Sequence, residues 1–300
     1  MRFFNAAIGI LMVVLMTSCH QGMNLARTRT KINRELGKQQ GTFAVAFTDM
    51  TNGEVLLIRE RELFHAASTM KTPVMIEVFK QASSGRFSLA DSVLIRNEFR
   101  SLADGSPFTL KVEADSEKDL YQALGRKRTM SDLVYRMITL SSNLATNLIV
   151  DKVGAGNVTQ TMRDLGAMDI EVLRGVEDSL AYVQGLNNRT TALDLMIIFQ
   201  KMAKGETVNP QASQAMIDIL SDQKFGEIIP ARLPKEMKVA HKTGSFTGVH
   251  HDSGIVFLPD GRKYVLVILG KDLANDKTAT RAMARVSELI YRHLMMKSRQ

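Results

Sequence analysis

Segments with strand patterns stand at both ends of this chain, and segments with helical patterns fill its middle. Near the N-terminus, residues 43–58 contain two strand-like apolar runs joined by Asn52-Gly53, a dipeptide typical of tight hairpin turns. Near the C-terminus, we predict strands over 237–242, 253–257 and 263–269 and a last helix over 278–296. This order favours one sheet built from the two ends of the chain, with a helical lobe inserted between them.

Helical periodicity dominates the middle of the chain. The predicted helices are 69–83, 130–140, 144–153, 158–165, 191–203 and 210–221, whereas 95–128 is polar with little periodicity. We therefore predict an α/β (α+β) fold with an α/β lobe of residues 41–67 and 223–300, a helical lobe of residues 68–222, and an active site between the lobes.

The composition is that of an ordinary globular protein, with 45% apolar and 23% charged residues. The net charge of +8 indicates a basic surface that would favour anionic lipid headgroups or acidic polymers. Because no run of Arg and Lys is interleaved with aromatic residues, we do not expect nucleic-acid binding. No Gly-rich phosphate loop is present, so no nucleotide cofactor is predicted.

The first nineteen residues form a separate unit. Arg2 precedes a mainly apolar run over 3–16, which is too short to span a bilayer and is typical of a signal peptide. The following Leu15-Met16-Thr17-Ser18-Cys19 resembles a bacterial lipobox. The resemblance implies a signal peptide over 1–18, lipidation of Cys19, a tether over 19–40 and an exported protein anchored in the bacterial cell envelope. The alternative is a plain secretory leader with an incidental cysteine.

Ser68-Thr69-Met70-Lys71 places a hydroxyl and an amine one helical turn apart, on the same face of the helix. A serine hydroxyl is a poor nucleophile unless a base lies beside it, and a desolvated lysine can be that base. The backbone N–H of Ser68, at the start of the helix, would favour an oxyanion. The motif is weak alone: Ser221-Asp222-Gln223-Lys224 repeats it where we expect a solvated helix end.

Two further motifs follow in order along the chain. Ser141-Ser142-Asn143 interrupts two predicted helices, where such residues also serve as N-caps. Lys242-Thr243-Gly244-Ser245 closes a predicted strand, where it can line the edge of a cleft or form an exposed strand end.

Ser-x-x-Lys, Ser-x-Asn and Lys-Thr-Gly in this order resemble the signature of class A β-lactamases and penicillin-binding proteins. The resemblance extends from about residue 43 to the last helix. It implies the two-lobed serine β-lactamase/transpeptidase-like fold, with an antiparallel sheet flanked by helices. It also implies a serine hydrolase that needs neither metal nor cofactor.

The resemblance assigns a role to each matching residue. Ser68 would attack the substrate carbonyl, Lys71 would take its proton, and Ser141 would relay a proton to the leaving nitrogen. On the substrate side, Asn143 would bind the amide and Lys242 would add positive potential. Substrate binding would be completed by the rest of the third motif, namely Thr243, Gly244 and Ser245. The backbone N–H groups of Ser68 and Ser245 would form the oxyanion hole.

The match is looser at the loop that activates the deacylating water in class A enzymes. Glu177 and Leu180 fit the family's Glu-x-x-Leu, but Ala181 stands in place of the following asparagine. Asn188 stands where an aspartate usually pairs with the loop arginine, here Arg174. Ser142 replaces the aspartate of the middle motif. Glu177 is therefore predicted either as the deacylation base or as a solvated loop carboxylate with slow water attack.

His250-His251-Asp252 follows the third motif closely. These histidines either line the substrate cleft or merely form a turn at the end of a strand. A triad of Ser68, His251 and Asp252 is conceivable but unnecessary beside Lys71, and a zinc site lacks a third ligand at recognisable spacing. We expect His65 and His241 to be structural.

Three functions remain open at this point. The first is a β-lactam-hydrolysing enzyme that acts as a monomer through an acyl-enzyme on Ser68. The second is a D,D-peptidase or esterase of the penicillin-binding type, acting on peptidoglycan-derived substrates with slow deacylation. The third is a non-catalytic penicillin- or cell-wall-binding lipoprotein.

Overall fold

The structure, a computed structural model, describes residues 24–297. The predicted signal peptide over 1–18 and the predicted lipidation site Cys19 lie outside the described residues. The helices are α1 (24–36), α2 (Lys71–Ser83), α3 (Met130–Thr139), α4 (Asn143–Val153), α5 (Ala155–Asp164), α6 (Ser179–Val183), α7 (Ala192–Lys204), α8 (Pro210–Ser221) and α9 (Asp276–Lys297). The strands are β1 (Thr42–Asp49), β2 (Val55–Ile58), β3 (Phe64–His65), β4 (Ser92–Leu94), β5 (Phe99–Arg100), β6 (Pro107–Phe108), β7 (Lys127–Thr129), β8 (Arg189–Thr190), β9 (Lys238–Phe246), β10 (Val249–Phe257) and β11 (Lys263–Lys271).

The main sheet has five strands in the order β2-β1-β11-β10-β9, and every neighbouring pair is antiparallel. Strand β1, from the N-terminal end, lies directly beside β11, with Val45 opposite Ile268. The prediction of one sheet formed from both ends of the chain is therefore confirmed.

Alternate residues of each strand point to opposite faces of this sheet, and a hydrophobic core covers each face. On β1, Ala44 and Ala46 belong to the core shared with the helical lobe. Val45 and Phe47 belong to a second core on the opposite face, together with residues of α1 and α9. The sheet is thus the middle layer of the molecule, and the predicted α/β (α+β) fold with an inserted helical lobe is confirmed.

Helix α1 differs from the tether predicted over 19–40. Ile32 and Leu36 are buried in the core of the outer sheet face, and the Thr28 hydroxyl lies 3.3 Å from Nδ1 of His293 on α9. From residue 24 onward this segment is a packed helix. No helix among residues 24–297 is long and apolar enough to cross a membrane.

The helices of the inserted lobe begin at side chains that cap them. Thr129, Thr191 and Asn209 each accept a hydrogen bond from a backbone N–H in the first turn of α3, α7 and α8, respectively. The helices predicted over 130–140, 191–203 and 210–221 match the observed ones to within one residue at each end. Helix α2 lies in the centre of the lobe, with most of its side chains buried.

Candidate active site

Ser68 lies in a short 3₁₀ turn, Ala67–Met70, which leads directly into α2. The preceding residue, Ala67, has a φ of 46°, a left-handed conformation that is costly for alanine. The Ala67 N–H donates a hydrogen bond of 3.0 Å to Nδ1 of His65. This turn presents Ser68, which is partly exposed, to two clefts.

Lys71, at the first residue of α2, has no exposed surface. Its Nζ donates to the main-chain oxygen of Ser141 at 2.7 Å, to Oγ of Ser141 at 3.2 Å and to Oδ1 of Asn143 at 2.9 Å. Burial lowers the pKa of Lys71 to about 7, against the opposing charges of Asp115 and Glu177. The amine can therefore lose its proton near neutral pH, as a general base requires.

Ser141 lies at the junction of α3 and α4 and contacts two amines. Its Oγ is 3.2 Å from Nζ of Lys71 and 3.1 Å from Nζ of Lys242. Lys242 is also fully buried and donates to the main-chain oxygen of Thr243 at 2.9 Å. Burial holds the pKa of Lys242 well below its usual range, the charge of Lys71 lowers it further, and Asp252 opposes both effects. Two lysines thus meet at one hydroxyl.

Glu177 reaches the same cluster from the loop before α6. Its Oε1 accepts a hydrogen bond of 2.5 Å from Nδ2 of Asn143, the residue whose Oδ1 faces Lys71. Ser141 and Glu177 have φ values of 56° and 61°. With Ala67, they are three of the five non-glycine residues with positive φ in the described part of the chain. Backbone strain of this kind is concentrated at functional sites.

Gly244, on β9, packs against the turn that carries Ser68. A Cβ atom on Gly244 would lie 2.9 Å from the backbone nitrogen of Ser68 and 3.0 Å from that of Thr69. Only glycine allows the strand to approach this closely. The next residue, Ser245, borders both clefts together with Ser68.

The two clefts meet at Ser68. The larger has a volume of about 630 Å³ and is lined by Ser141, Thr243 and two exposed cations of α9, Lys277 and Arg281. The smaller has a volume of about 330 Å³. Its lining includes Glu177 and three rings, those of His65, Tyr182 and Phe246. A substrate at Ser68 can therefore extend towards a basic side and towards an aromatic side.

The histidines after the third motif lie in a strand, not in the turn that was the alternative prediction. His250 and His251 are on β10, and both line the larger cleft. Nε2 of His251 lies 2.9 Å from the main-chain oxygen of His65, and burial lowers its pKa to about 4. Asp252 lies 2.8 Å from Nδ1 of His241. The structure therefore does not form a triad of Ser68, His251 and Asp252.

In the loop around Glu177, the Arg174 guanidinium is held by hydrogen bonds to neutral oxygens. Arg174 donates to the main-chain oxygens of Gly175 and Leu186 and to Oδ1 of Asn187, and within residues 24–297 it forms no ion pair. Asn188 binds the main chain of residues 173–174 instead of the Arg174 guanidinium. Ala181 is fully buried and has no polar side-chain atom to hold a water molecule.

Sequence reasoning missed Asp115, a buried acid in the stretch that showed little periodicity. Its carboxylate accepts hydrogen bonds from the backbone N–H groups of Asn143 and Leu144. The N-cap position of α4, with its four unpaired N–H groups, is the signal that could have suggested an acid nearby.

The structure thus connects Lys71, Ser141, Asn143, Glu177 and Lys242 by direct hydrogen bonds. The other predicted site residues, Ser68, Thr243, Gly244 and Ser245, line the larger cleft. The second Ser-x-x-Lys stretch is structural, since the Ser221 hydroxyl bonds the carbonyl of Ile217 in its own helix. Among the described residues there is no group of three or more His, Cys, Asp or Glu side chains that could hold a metal ion.

This sheet, the inserted helices and the cluster at Ser68 together define the fold class of the serine β-lactamases and penicillin-binding proteins. Comparison with known proteins agrees with this class. The model of the beta-lactamase enzyme family matches residues 27–294, and the chain belongs to that family.

The similar proteins are distant in sequence but cover most of the chain. The extended-spectrum beta-lactamase PER-1 of Pseudomonas aeruginosa is 24% identical over 275 residues, which are 87% of this chain and 85% of that protein. A beta-lactamase from Sphaerobacter thermophilus DSM 20745 has 25% identity and a TM-score of 0.75, over 90% of this chain and 96% of its own. A mutant of PBP-A, solved as an acyl-enzyme complex with penicillin-G, has 27% identity and a TM-score of 0.76, over 90% of this chain and 97% of its own.

Proposed function

We propose that this protein is a serine β-lactamase of the class A type, which hydrolyses β-lactams through an acyl-enzyme on Ser68. One observation carries the proposal: Ser68 opens onto a cleft beside which two fully buried lysine amines share the hydroxyl of Ser141. Buried amines have a low cost of deprotonation, so this cluster can activate a serine and move its proton near neutral pH.

Acylation uses the hydrogen-bonded chain at this cluster. The neutral amine of Lys71 takes the proton as Oγ of Ser68 bonds to the β-lactam carbonyl carbon, and a tetrahedral oxyanion forms. The C–N bond of the ring then breaks, and the ring nitrogen takes a proton from Oγ of Ser141. Lys71 or Lys242 restores that proton, since both amines lie within 3.2 Å of the hydroxyl.

The substrate is held by groups on both sides of Ser68. The N–H groups of Ser68 and Ser245 bind the oxyanion; losing one such donor costs on the order of a hundredfold in rate. The side-chain amide of Asn143 binds the substrate amide. The anionic group of the substrate faces Thr243 and Ser245 in the larger cleft, where the cations Lys277 and Arg281 attract it.

Deacylation requires a water molecule and a base. Glu177 lies in the smaller cleft beside Ser68, and its carboxylate takes a proton from a water that attacks the ester carbonyl. The ester bond to Ser68 then breaks, the proton that Glu177 took passes to Oγ of Ser68, and the opened product leaves.

A second candidate function is supported by Ala181. Because this buried side chain offers no polar atom, the water near Glu177 has one fewer partner than in enzymes with an asparagine there. Water attack would then be slow, and the protein would act as a penicillin-binding D,D-peptidase or esterase that β-lactams inhibit. The similar PBP-A mutant was solved with the acyl group in place.

We also propose that the protein is exported, cleaved before Cys19 and held in the cell envelope by a lipid on that cysteine, as a monomer. The proposal rests on the lipobox-like sequence and on the short apolar run before it. Labelling of cells with a radioactive fatty acid tests it: the native chain should take up label and the Cys19→Ala variant should not.

The decisive experiment mixes purified protein with a chromogenic cephalosporin and follows both colour and intact mass. Steady colour with a transient adduct supports the β-lactamase. A long-lived adduct without turnover supports the second candidate. Absence of both would leave a non-catalytic binding protein and refute the proposal.

The serine is assigned by a matched pair of variants. Ser68→Ala should lose adduct and turnover together. Ser221→Ala removes the serine of the second Ser-x-x-Lys stretch and should behave as the native protein.

A further inference from the structure

Asp115 is a buried acid that lies against the start of α4, with 2% of its surface exposed. Its carboxylate accepts hydrogen bonds from the N–H of Asn143 at 2.9 Å and from the N–H of Leu144 at 3.0 Å. The hydroxyl of Tyr121 donates to it at 3.0 Å and the N–H of Glu117 at 3.1 Å. A carboxylate that accepts four hydrogen bonds is fixed in place by its neighbours.

This acid stands beside a motif that lacks one. Ser142, in the middle of Ser141-Ser142-Asn143, is buried, and its hydroxyl accepts a capping hydrogen bond from the N–H of Ala145. The negative charge at the positive end of α4 therefore comes from Asp115, which is 28 residues away from Asn143 in sequence.

Through α4, Asp115 orients groups of the active site. It holds the backbone of Asn143, whose side chain bonds both Lys71 and Glu177. It also fixes the first turn after Ser141, whose left-handed φ of 56° must be maintained by its surroundings. Without this anchor, the side chains of Ser141 and Asn143 would both move from their positions in the site.

Asp115 also acts on Lys71 through its charge. The charged groups around Lys71 are Asp115 and Glu177, which favour its ammonium form, and Lys242, whose own pKa Lys71 lowers. Asp115 has the larger effect of the two acids. Around Asp115 itself, Glu117 is paired with Arg136, and burial followed by the charge of Asp115 raises the pKa of Tyr121, so its hydroxyl stays a donor.

We propose that Asp115 is a positioning residue of the reaction: it anchors the start of α4, holds Asn143 against the amine of Lys71, and supplies a negative charge to that amine. It does so in place of the acid missing from the middle motif. The kinetic part of this inference rests on the proposed function, whereas the effect on Lys71 does not.

The experiment compares the native full chain with Asp115→Asn, which keeps the size and removes the charge. The titration of Lys71 is followed by NMR of protein labelled with ¹³C-lysine, with Lys71→Arg to assign the resonance. The midpoint should fall by about one pH unit in Asp115→Asn, because an opposing charge has been removed. An unchanged midpoint overturns the inference, whatever the activity of the protein.

A kinetic arm tests the anchoring. At its pH optimum, Asp115→Asn should acylate Ser68 about tenfold more slowly than the native protein in a single turnover. The acid limb of its pH–rate profile should move to lower pH together with the midpoint of the Lys71 titration. Tyr121→Phe is the matched control: it removes a hydrogen bond from the same carboxylate but keeps the charge and the bonds to α4. It should leave the Lys71 midpoint and the acid limb unchanged.

The outcomes are separable from those of the proposed function. If the native protein forms no adduct, the proposed function fails and the NMR titration still decides the role of Asp115. If Asp115→Asn does not fold, Asp115→Ser, which offers α4 a neutral cap, replaces it in both arms. Failure of both neutral variants to fold would make the carboxylate a requirement of the fold and overturn the positioning role.

Discussion

The amine of Lys71 donates a hydrogen bond of 2.7 Å to the main-chain carbonyl oxygen of Ser141. A peptide oxygen cannot titrate or rotate away, so the lysine keeps one fixed acceptor whatever the protonation state of its other partners. The amine of Lys71 is therefore aligned by the backbone between α3 and α4, and we expect its protonation state to decide when it can act as a base.

The rate of acylation should rise with pH through a midpoint near 7. Burial lowers the pKa of Lys71 to about 7, and only the neutral amine can take the proton of Ser68. Below this midpoint the ammonium form dominates, so the rate should fall about tenfold for each pH unit. Rapid-quench mass spectrometry of the adduct measures the profile; a midpoint near the ordinary lysine value of 10.5 would contradict it.

Glu177→Gln should trap the acyl-enzyme. The amide keeps the contact with Asn143 but cannot take a proton from water, so deacylation should slow by about a hundredfold or more while acylation persists. Intact mass over time measures the adduct. Glu171→Gln, which changes an acid paired with Arg189 near the same loop, is the control and should turn over normally. Native turnover in Glu177→Gln would remove this residue from the mechanism.

Gly244→Ala should displace Ser68. The added methyl would lie 2.9 Å from the backbone nitrogen of Ser68, and the strand or the turn must shift. We expect acylation to fall by about a hundredfold and stability to fall by about 2 kcal/mol.

Gly156→Ala is the matched control, because a methyl there meets no atom within 4 Å. It should retain native rates and a melting temperature at or slightly above the native value, because Gly156 lies in helix α5 and alanine favours a helix. Full activity in Gly244→Ala would show that β9 does not constrain the turn.

Asp178→Ala should loosen the loop that carries Glu177. Asp178 caps α6 through the N–H of Ala181 and also binds Ser101 and Leu102, so its loss should cost about 2 kcal/mol. Thermal unfolding measures the change. Asp164→Ala, which removes an exposed acid paired with Lys80, should melt close to the native protein.

The contribution of Asp178 should also depend on pH. Burial would raise its pKa, but the hydrogen bonds from Ala181, Leu102 and Ser101 outweigh burial and lower it. A lowered folded-state pKa means that the stabilisation is present above the ordinary value of 3.8 and is lost as the pH falls through the folded-state value. The melting temperatures of the native protein and of Asp178→Ala should therefore converge in acid.

The helices with strong periodicity and a polar cap were predictable to within a residue or two. Pro210–Ser221 was predicted with its observed bounds, because Asn209 caps it and proline suits a first turn. Helix α1 was missed since its exposed basic residues hide the buried spacing of Thr28, Ile32 and Leu36. Those positions, four residues apart, carry the helical signal.

The motifs of the candidate site were predictable, and their support was not. Ser68, Ser141 and Lys242 belong to short motifs that can be recognised directly in the sequence. Asp115 belongs to no pattern, because it reaches α4 from 28 residues away and only the folded chain brings the two together. The sequence around a single acid in a polar stretch does not indicate which distant residues it contacts.

The order of strands in the sheet has a consequence for biosynthesis. Strand β2 is synthesised soon after β1 and can pair with it. The other edge of β1 stays unpaired until β11 is synthesised near the end of translation. Contacts between such distant segments make folding slow. The nascent chain therefore lacks its complete central sheet until almost all of it has been synthesised. A chain truncated before residue 263 would lack β11 and would leave an edge of β1 unpaired, which favours aggregation and proteolysis.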